Sequence, residues 1–154
     1  MTVNSLRLAS LALALNLAGG AARAQACEGT PSTNRLTIIV DGVTSARGQM
    51  TGTLYPDDKS KFLVAGGSLK VWRVPVATPS TTMCIWLPAP GTYAIAIYQD
   101  VNDNGKFDVG SLGPKEPYGF SNNPRILFSK PPYDKVKFLA TAAETTLHVR
   151  LNPA

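Results

Sequence analysis

The sequence predicts an all-β fold, an antiparallel sandwich of seven to eight short strands, on three observations. Apolar residues alternate with polar ones at period two: Leu36, Ile38 and Val40 against Thr37 and Asp41, and Leu147, Val149 and Leu151 against Thr146, His148 and Arg150. Between these segments, short apolar runs at 49–55, 69–76, 81–87, 92–99, 125–128 and 135–140 are each bounded by Gly, Pro, Asn or Asp. No window carries the 3.6-residue periodicity of an amphipathic helix. Period two puts one strand face in a core and the other in water, and two such sheets stacked together bury both apolar faces.

The chain has 154 residues, 15 Lys+Arg against 10 Asp+Glu, and 16% charged residues. That is room for one domain, and it contains no like-charge block of the kind that marks a disordered or nucleic-acid-binding arm. Residues 1–26 read as a secretory signal peptide: Arg7, an apolar stretch of about ten residues through Leu17, then the small-residue run Ala21–Ala26 with A-x-A cleavage patterns. The apolar part falls short of the roughly 20 residues a membrane span needs. Cleavage after Ala26 removes Arg7 and Arg23, so the formal charge drops from +5 to +3, and leaves residues 27–154 as a single β-sandwich domain with no transmembrane segment.

Export places Cys27 and Cys84 in an oxidising compartment, where an even cysteine count points to a bridge. Closing that loop is worth about 4 kcal/mol in the chain-entropy treatment. The competing reading is lipidation of Cys27 as the first mature residue, but Ala24 and Gln25 do not match the usual lipoprotein signal.

In the 92–99 run, Tyr93, Ile95 and Ile97 line one face and Ala94, Ala96 and Tyr98 the other, which predicts a central strand covered on both sides. The preceding Leu87-Pro88-Ala89-Pro90-Gly91 reads as a tight reversal pairing 81–87 with 92–99. Trp86 and Cys84 then share a face, so the bridge is expected beside a large aromatic, as in many sandwich cores.

After the central strand comes Asp100-Val101-Asn102-Asp103-Asn104-Gly105-Lys106-Phe107-Asp108, with oxygen-bearing side chains at relative positions 1, 3, 5 and 9 and glycine at 6. A hard dication takes six to eight oxygens, alternate residues of a curled loop point inward, and the turn at position 6 favours positive φ. Asp100, Asn102, Asn104 and Asp108 are therefore the candidate calcium ligands, with Lys106 contributing its backbone carbonyl. Position 12 is Ser111 rather than an acid, so Glu116 is the nearest candidate for the missing ligand. With two neutral amides in the set, affinity falls at the weak extracellular end, about 10⁻⁴ to 10⁻³ M. The competing reading is a long turn that collects Asn, Asp and Gly for conformational reasons, without an ion.

This loop, followed by Gly113-Pro114-Lys115-Glu116-Pro117-Tyr118-Gly119-Phe120-Ser121-Asn122-Asn123 and preceded by Pro90-Gly91-Thr92-Tyr93-Ala94-Ile95, resembles the central signature of the bacterial exported family known as domain of unknown function 2141. The resemblance runs over about residues 34 to 152. It implies a small envelope or secreted β-sandwich and supplies no activity; the paired cysteines resemble one branch of that family. The corresponding architecture is an immunoglobulin-like or transthyretin-like sandwich.

In the 113–121 segment, Tyr118, Phe120 and Asn122 form a candidate surface for a sugar or peptide. The alternative is a lid whose aromatics pack onto the sandwich while it donates Glu116. Catalysis is hard to assemble. His148 is the lone histidine and lies on the outward face of the last strand, and no G-x-S-x-G or H-E-x-x-H motif occurs. Lys130, Lys135 and Lys137 near Tyr133 read as protection of a sheet edge rather than a nucleic-acid surface. The expectation is a non-catalytic exported module of the bacterial envelope, periplasmic or secreted, with a weak calcium site and an envelope protein or glycan as partner. The second reading is a carbohydrate-active or hydrolytic accessory protein using carboxylates such as Asp57, Asp58 or Glu116.

Overall fold

The computed structural model describes residues 26–126 and 130–154. Of the expected signal peptide, all but Ala26 lies outside the described residues. The fold is nearly all β, as the alternation predicts. The strands are β1 (Asn34–Asp41), β2 (Gln49–Tyr55), β3 (Lys70–Pro75), β4 (Ser80–Trp86), β5 (Gly91–Asp100), β6 (Val109–Gly110), β7 (Gly113–Pro114), β8 (Tyr118–Phe120), β9 (Phe138–Ala140) and β10 (Ala143–Arg150), with one helical turn, α1 (Tyr133–Val136).

Two sheets carry the structure. One has the order β10-β1-β4; the other runs β3-β2-β5-β8, with β9 on the first residues of β5, and β6 and β7 form a separate ribbon. Leu36, Ile38 and Val40 of β1, Met83 and Ile85 of β4 and Val149 of β10 pack against Met50, Leu54, Trp72, Ile95 and Ile97 of the larger sheet. Strand β5 is central, as its two apolar faces predict. Its odd-numbered residues enter this core, while Ala94 and Ala96 on its other face join Tyr55, Phe62, Phe120 and Tyr133 in a second cluster. Gly52 makes room for the interior tryptophan, since a Cβ there would sit 2.7 Å from the Trp72 ring.

Several expectations are corrected. The sheets are not purely antiparallel: β1 and β10 run parallel, Ile38 opposite Leu147 and Val40 opposite Val149. A parallel neighbour needs a long crossover, and here most of the chain, including the whole second sheet, supplies it. Strands β4 and β5 do not form a hairpin. β4 pairs with β1, and β5 with β2 in the other sheet, so 87–91 crosses between layers. Met83 and Ile85 thereby meet the core residues of β5 across the interior instead of beside them.

The disulfide Cys27–Cys84 is present, but not in the core. Thr81, Met83 and Ile85 of β4 are buried inward, so Cys84 and Trp86 occupy the outer face, and the interior tryptophan is Trp72. Residues 135–136, expected as strand, belong to α1, where Lys137 pairs with Asp134 at 2.8 Å. Of the run expected at 125–128, Arg125 and Ile126 are irregular and the remainder lies outside the described residues. Tyr118–Phe120, expected in a loop, is strand β8 on β5.

Gln99 is 1% exposed, at the core end of β5. Its amide donates to the carbonyls of Ser45 (2.9 Å) and Arg47 (2.8 Å), holding the β1–β2 connection against the site described below. Gly48 in that connection has φ +68, and a Cβ there would lie 1.7 Å from the Asp100 carbonyl oxygen. Replacing Gln99 by leucine should cost about 2 kcal/mol by orphaning both carbonyls, read as a lower urea midpoint at unchanged m-value; a loss under about 0.5 kcal/mol would mean water substitutes for the amide.

Candidate functional site

The loop 101–108 leaves β5 at Asp100, the last residue of a buried central strand, and so starts from a fixed point. Asp100 is fully buried, and its two oxygens accept from Asn104 N (3.0 Å) and Gly105 N (2.7 Å). Asn102 Oδ1 accepts from Asn104 N at 3.2 Å, and Asn104 Oδ1 from Lys106 N at 2.9 Å. These Asx turns curl the chain. Gly105 has φ +76, as the sixth position requires, and Asp103 also enters the left-handed region at φ +56.

Across the curl, Asn102 Nδ2 and Asn104 Nδ2 each donate to Asp108 Oδ2 at 2.9 Å. Asp100, Asn102, Asn104 and Asp108, the side chains expected at positions 1, 3, 5 and 9, therefore form one hydrogen-bonded constellation. Lys106 enters it through its backbone N–H. Among the described residues no group of three or more His, Cys, Asp or Glu is placed to hold a metal ion. The side chains of the loop are two carboxylates and two amides, with the amide nitrogens turned toward Asp108 and the amide oxygens and both Asp100 oxygens accepting from backbone N–H groups.

Glu116 takes a different position from the one expected of a twelfth-position ligand. It is 2% exposed, Oε1 accepting from Val101 N at 3.0 Å and Oε2 from Asp108 N at 3.1 Å. It thus joins the two ends of the loop. Asp108 O accepts from Lys115 N (2.9 Å) and Pro117 O from Gln99 N (2.9 Å), so the 113–117 segment is tied along the loop's base. The lid reading expected this segment to pack onto the sandwich and donate Glu116 to the ion; here the segment lies along the loop, and Glu116 accepts from two loop amides.

Two contacts escaped the sequence reading. Arg73 of β3 donates to Gly105 O at 3.1 Å. Phe107 lies between Tyr98 (centroids 5.3 Å) and Tyr118 (5.8 Å), seating the loop on the outer face of the larger sheet. The aromatic at position 8 is a visible signal, but its partners stand on β5 and β8, whose pairing the sequence reading did not foresee. The ring series continues through Phe120 to Phe62, Tyr55 and Tyr133. Of the expected surface residues, Phe120 is buried, Tyr118 half-buried, and Asn122 exposed with its amide on Lys137 O at 2.7 Å. Burial raises the Tyr55 phenol, and burial together with the Asp57 hydrogen bond raises Tyr133 well above the usual range.

The carboxylates weighed for hydrolysis have their own partners. Asp57 accepts from the Tyr133 hydroxyl at 3.0 Å, Asp58 from Ser60, and Glu116 from the loop amides. His148 is exposed, as expected, yet its Nδ1 lies 3.0 Å from Asp41 Oδ2. Parallel pairing of β1 with β10 brings this acid alongside from 107 residues away.

No curated protein and no solved structure matches the chain. A family model, described as an uncharacterized protein conserved in bacteria (DUF2141), matches residues 38–148, which takes in both sheets, the loop and Glu116. The chain belongs to the DUF2141 family.

Proposed function

We propose that this protein is an exported, non-catalytic β-sandwich module of the bacterial envelope, periplasmic or secreted, whose 100–108 loop takes a calcium ion and whose role is structural or binding. The observation that supports the reading is the folding of the D-x-N-x-N-G-x-x-D spacing into one curl, in which the Asn102 and Asn104 amides both reach Asp108 beside Asp100. Asp100, Asn102, Asn104 and Asp108 would hold the ion through side-chain oxygens, with the Lys106 carbonyl available. To take an ion, the two amides would turn so that Oδ1 rather than Nδ2 faces Asp108. Glu116 acts here as the staple beneath the loop. Export is supported by the residue pattern of 1–26 and by a disulfide of the kind that persists in oxidising compartments. Bridged Cys27 offers no thiol for acylation. The partner expected is an envelope protein or glycan.

Calorimetric titration of the purified protein with Ca²⁺ should give one site with a dissociation constant of about 10⁻⁴ to 10⁻³ M. Asp108→Asn should weaken it, and Asp100→Ala with Asp108→Ala should abolish it. A thirtyfold excess over that constant should raise stability by about 2 kcal/mol. Absence of any heat or thermal shift at millimolar calcium would remove the ion from the account.

A further inference from the structure

On the outer face of the larger sheet, cross-strand register sets side chains in rows. One row holds Arg73, Thr51, Tyr98 and Tyr118; the next holds Thr53, Ala96 and Phe120; beyond it Tyr55 stands opposite Ala94. Thr53 and Ala96 are small and their neighbours in the flanking rows are tyrosines, so the face sinks between them. The result is a slot of about 160 Å³, floored by Thr53 and Ala96 and walled by Tyr55, Tyr98, Phe107 and Tyr118. Every residue lining it lies between Thr53 and Phe120, and none carries a charge.

Two threonines one row apart meet different surroundings. Thr51 is fully buried and its hydroxyl is sealed in. Arg73 beside it donates to Gly105 O, and Tyr98 beside it packs on Phe107, so the 101–108 loop roofs that row. Thr53 is half-buried, and its hydroxyl is neither sealed nor hydrogen-bonded within the described residues. The roof ends at Phe107, whose ring stands as one wall of the slot. Leu63, another lining residue, is held in the left-handed region at φ +54, a strained conformation of the kind that collects at binding sites.

An apolar cavity of about 150 Å³ admits one benzene-sized ring. Aromatic walls receive such a ring edge to face, and a lining without charge leaves the desolvation of an ion unrepaid. A sugar ring would bring several hydroxyls against phenyl faces and an alanine floor. An open hydroxyl at the floor favours a ring that carries one polar group of its own. From this size, lining and floor we infer that the slot binds a small neutral phenol, its ring between Tyr98, Phe107 and Tyr118 and its hydroxyl on Thr53. The inference gives the binding role proposed above a ligand class. It does not depend on the ion, because no lining side chain is among the proposed calcium ligands.

Amide NMR of the purified protein titrated with phenol, with and without calcium, tests it. One saturable site is expected at a dissociation constant of about 1 mM, from burial of one ring, with shifts centred on Thr53, Ala96, Tyr98 and Phe107. Thr53→Val removes the hydroxyl with little change of shape, and should weaken phenol about fivefold while leaving fluorobenzene unchanged. Ala96→Leu fills the floor and should weaken both about tenfold or more. Should that variant fold poorly, Thr53→Val still decides the matter, since it removes no hydrogen bond within the protein. The inference is overturned if phenol gives no saturable shifts at about twenty times that constant, if Thr53→Val weakens both ligands equally, or if cyclohexanol or benzoate binds as tightly as phenol. Binding of N-acetyl-tyrosinamide where phenol does not bind also overturns it, in favour of a side chain from a partner protein. Phenol binding beside a failed calcium titration dismisses only the ion; calcium binding without phenol binding dismisses only the slot.

Discussion

Replacing Glu116 by alanine is expected to destabilise the protein by about 3 to 4 kcal/mol, because it leaves two backbone donors, Val101 N and Asp108 N, without their acceptor. Its oxygens accept from Val101 N and Asp108 N, so one side chain holds both the first and the last turn of the loop. Asp100 holds the middle through Asn104 N and Gly105 N, and would remain. The loop should therefore loosen at its ends, and amide exchange at Val101 and Asp108 should accelerate more than at Gly105. Glu116→Gln keeps one carbonyl acceptor and should lose about half as much. Urea unfolding monitored through buried Trp72 gives the comparison. Equal stability of alanine variant and parent would show that Glu116 does not staple the loop.

Removing the bridge with Cys27→Ser and Cys84→Ser should cost about 4 kcal/mol, chiefly by freeing the unfolded chain. The folded side contributes less. Around Cys27 the chain adds one bridge to the edge of β4, Glu28 N donating to Cys84 O at 3.0 Å and Trp86 N to Glu28 O at 2.9 Å, and Glu28 pairs with Lys70 at 2.8 Å. That ion pair is solvent-exposed and contributes under about 1 kcal/mol. Reductant should lower the parent's denaturation midpoint to that of the double-serine variant and leave the variant's own midpoint unmoved, with exchange protection falling first at Glu28 and Trp86. If reductant leaves the parent's midpoint where it was, the bridge is absent from the folded protein.

Much of the fold was legible in residue order. Strict alternation in 36–40 and 147–151 identified two core-facing strands, and the doubly apolar run of β5 marked the centre of a sheet. The loop's curl was equally legible, because Asx turns and a left-handed glycine are effects between residues two to five apart. Pairing partners were not. The proline-flanked connection 87–91 is as compatible with a crossing between layers as with a hairpin, since both need only a sharp reversal without ladder donors. Arg73 on Gly105 and Asp41 beside His148 depend on which strands become neighbours.

Local order thus settled period, turns and the oxygen spacing, all consequences of short-range sterics and hydrogen bonding, while the cysteine pair followed from an even count in an oxidising compartment. Sheet assignment, the parallel β1–β10 ladder, the outward-facing bridge and Glu116 as a staple came from long-range packing. They follow from burying two sheet faces at once, a condition on the whole chain that no short window contains.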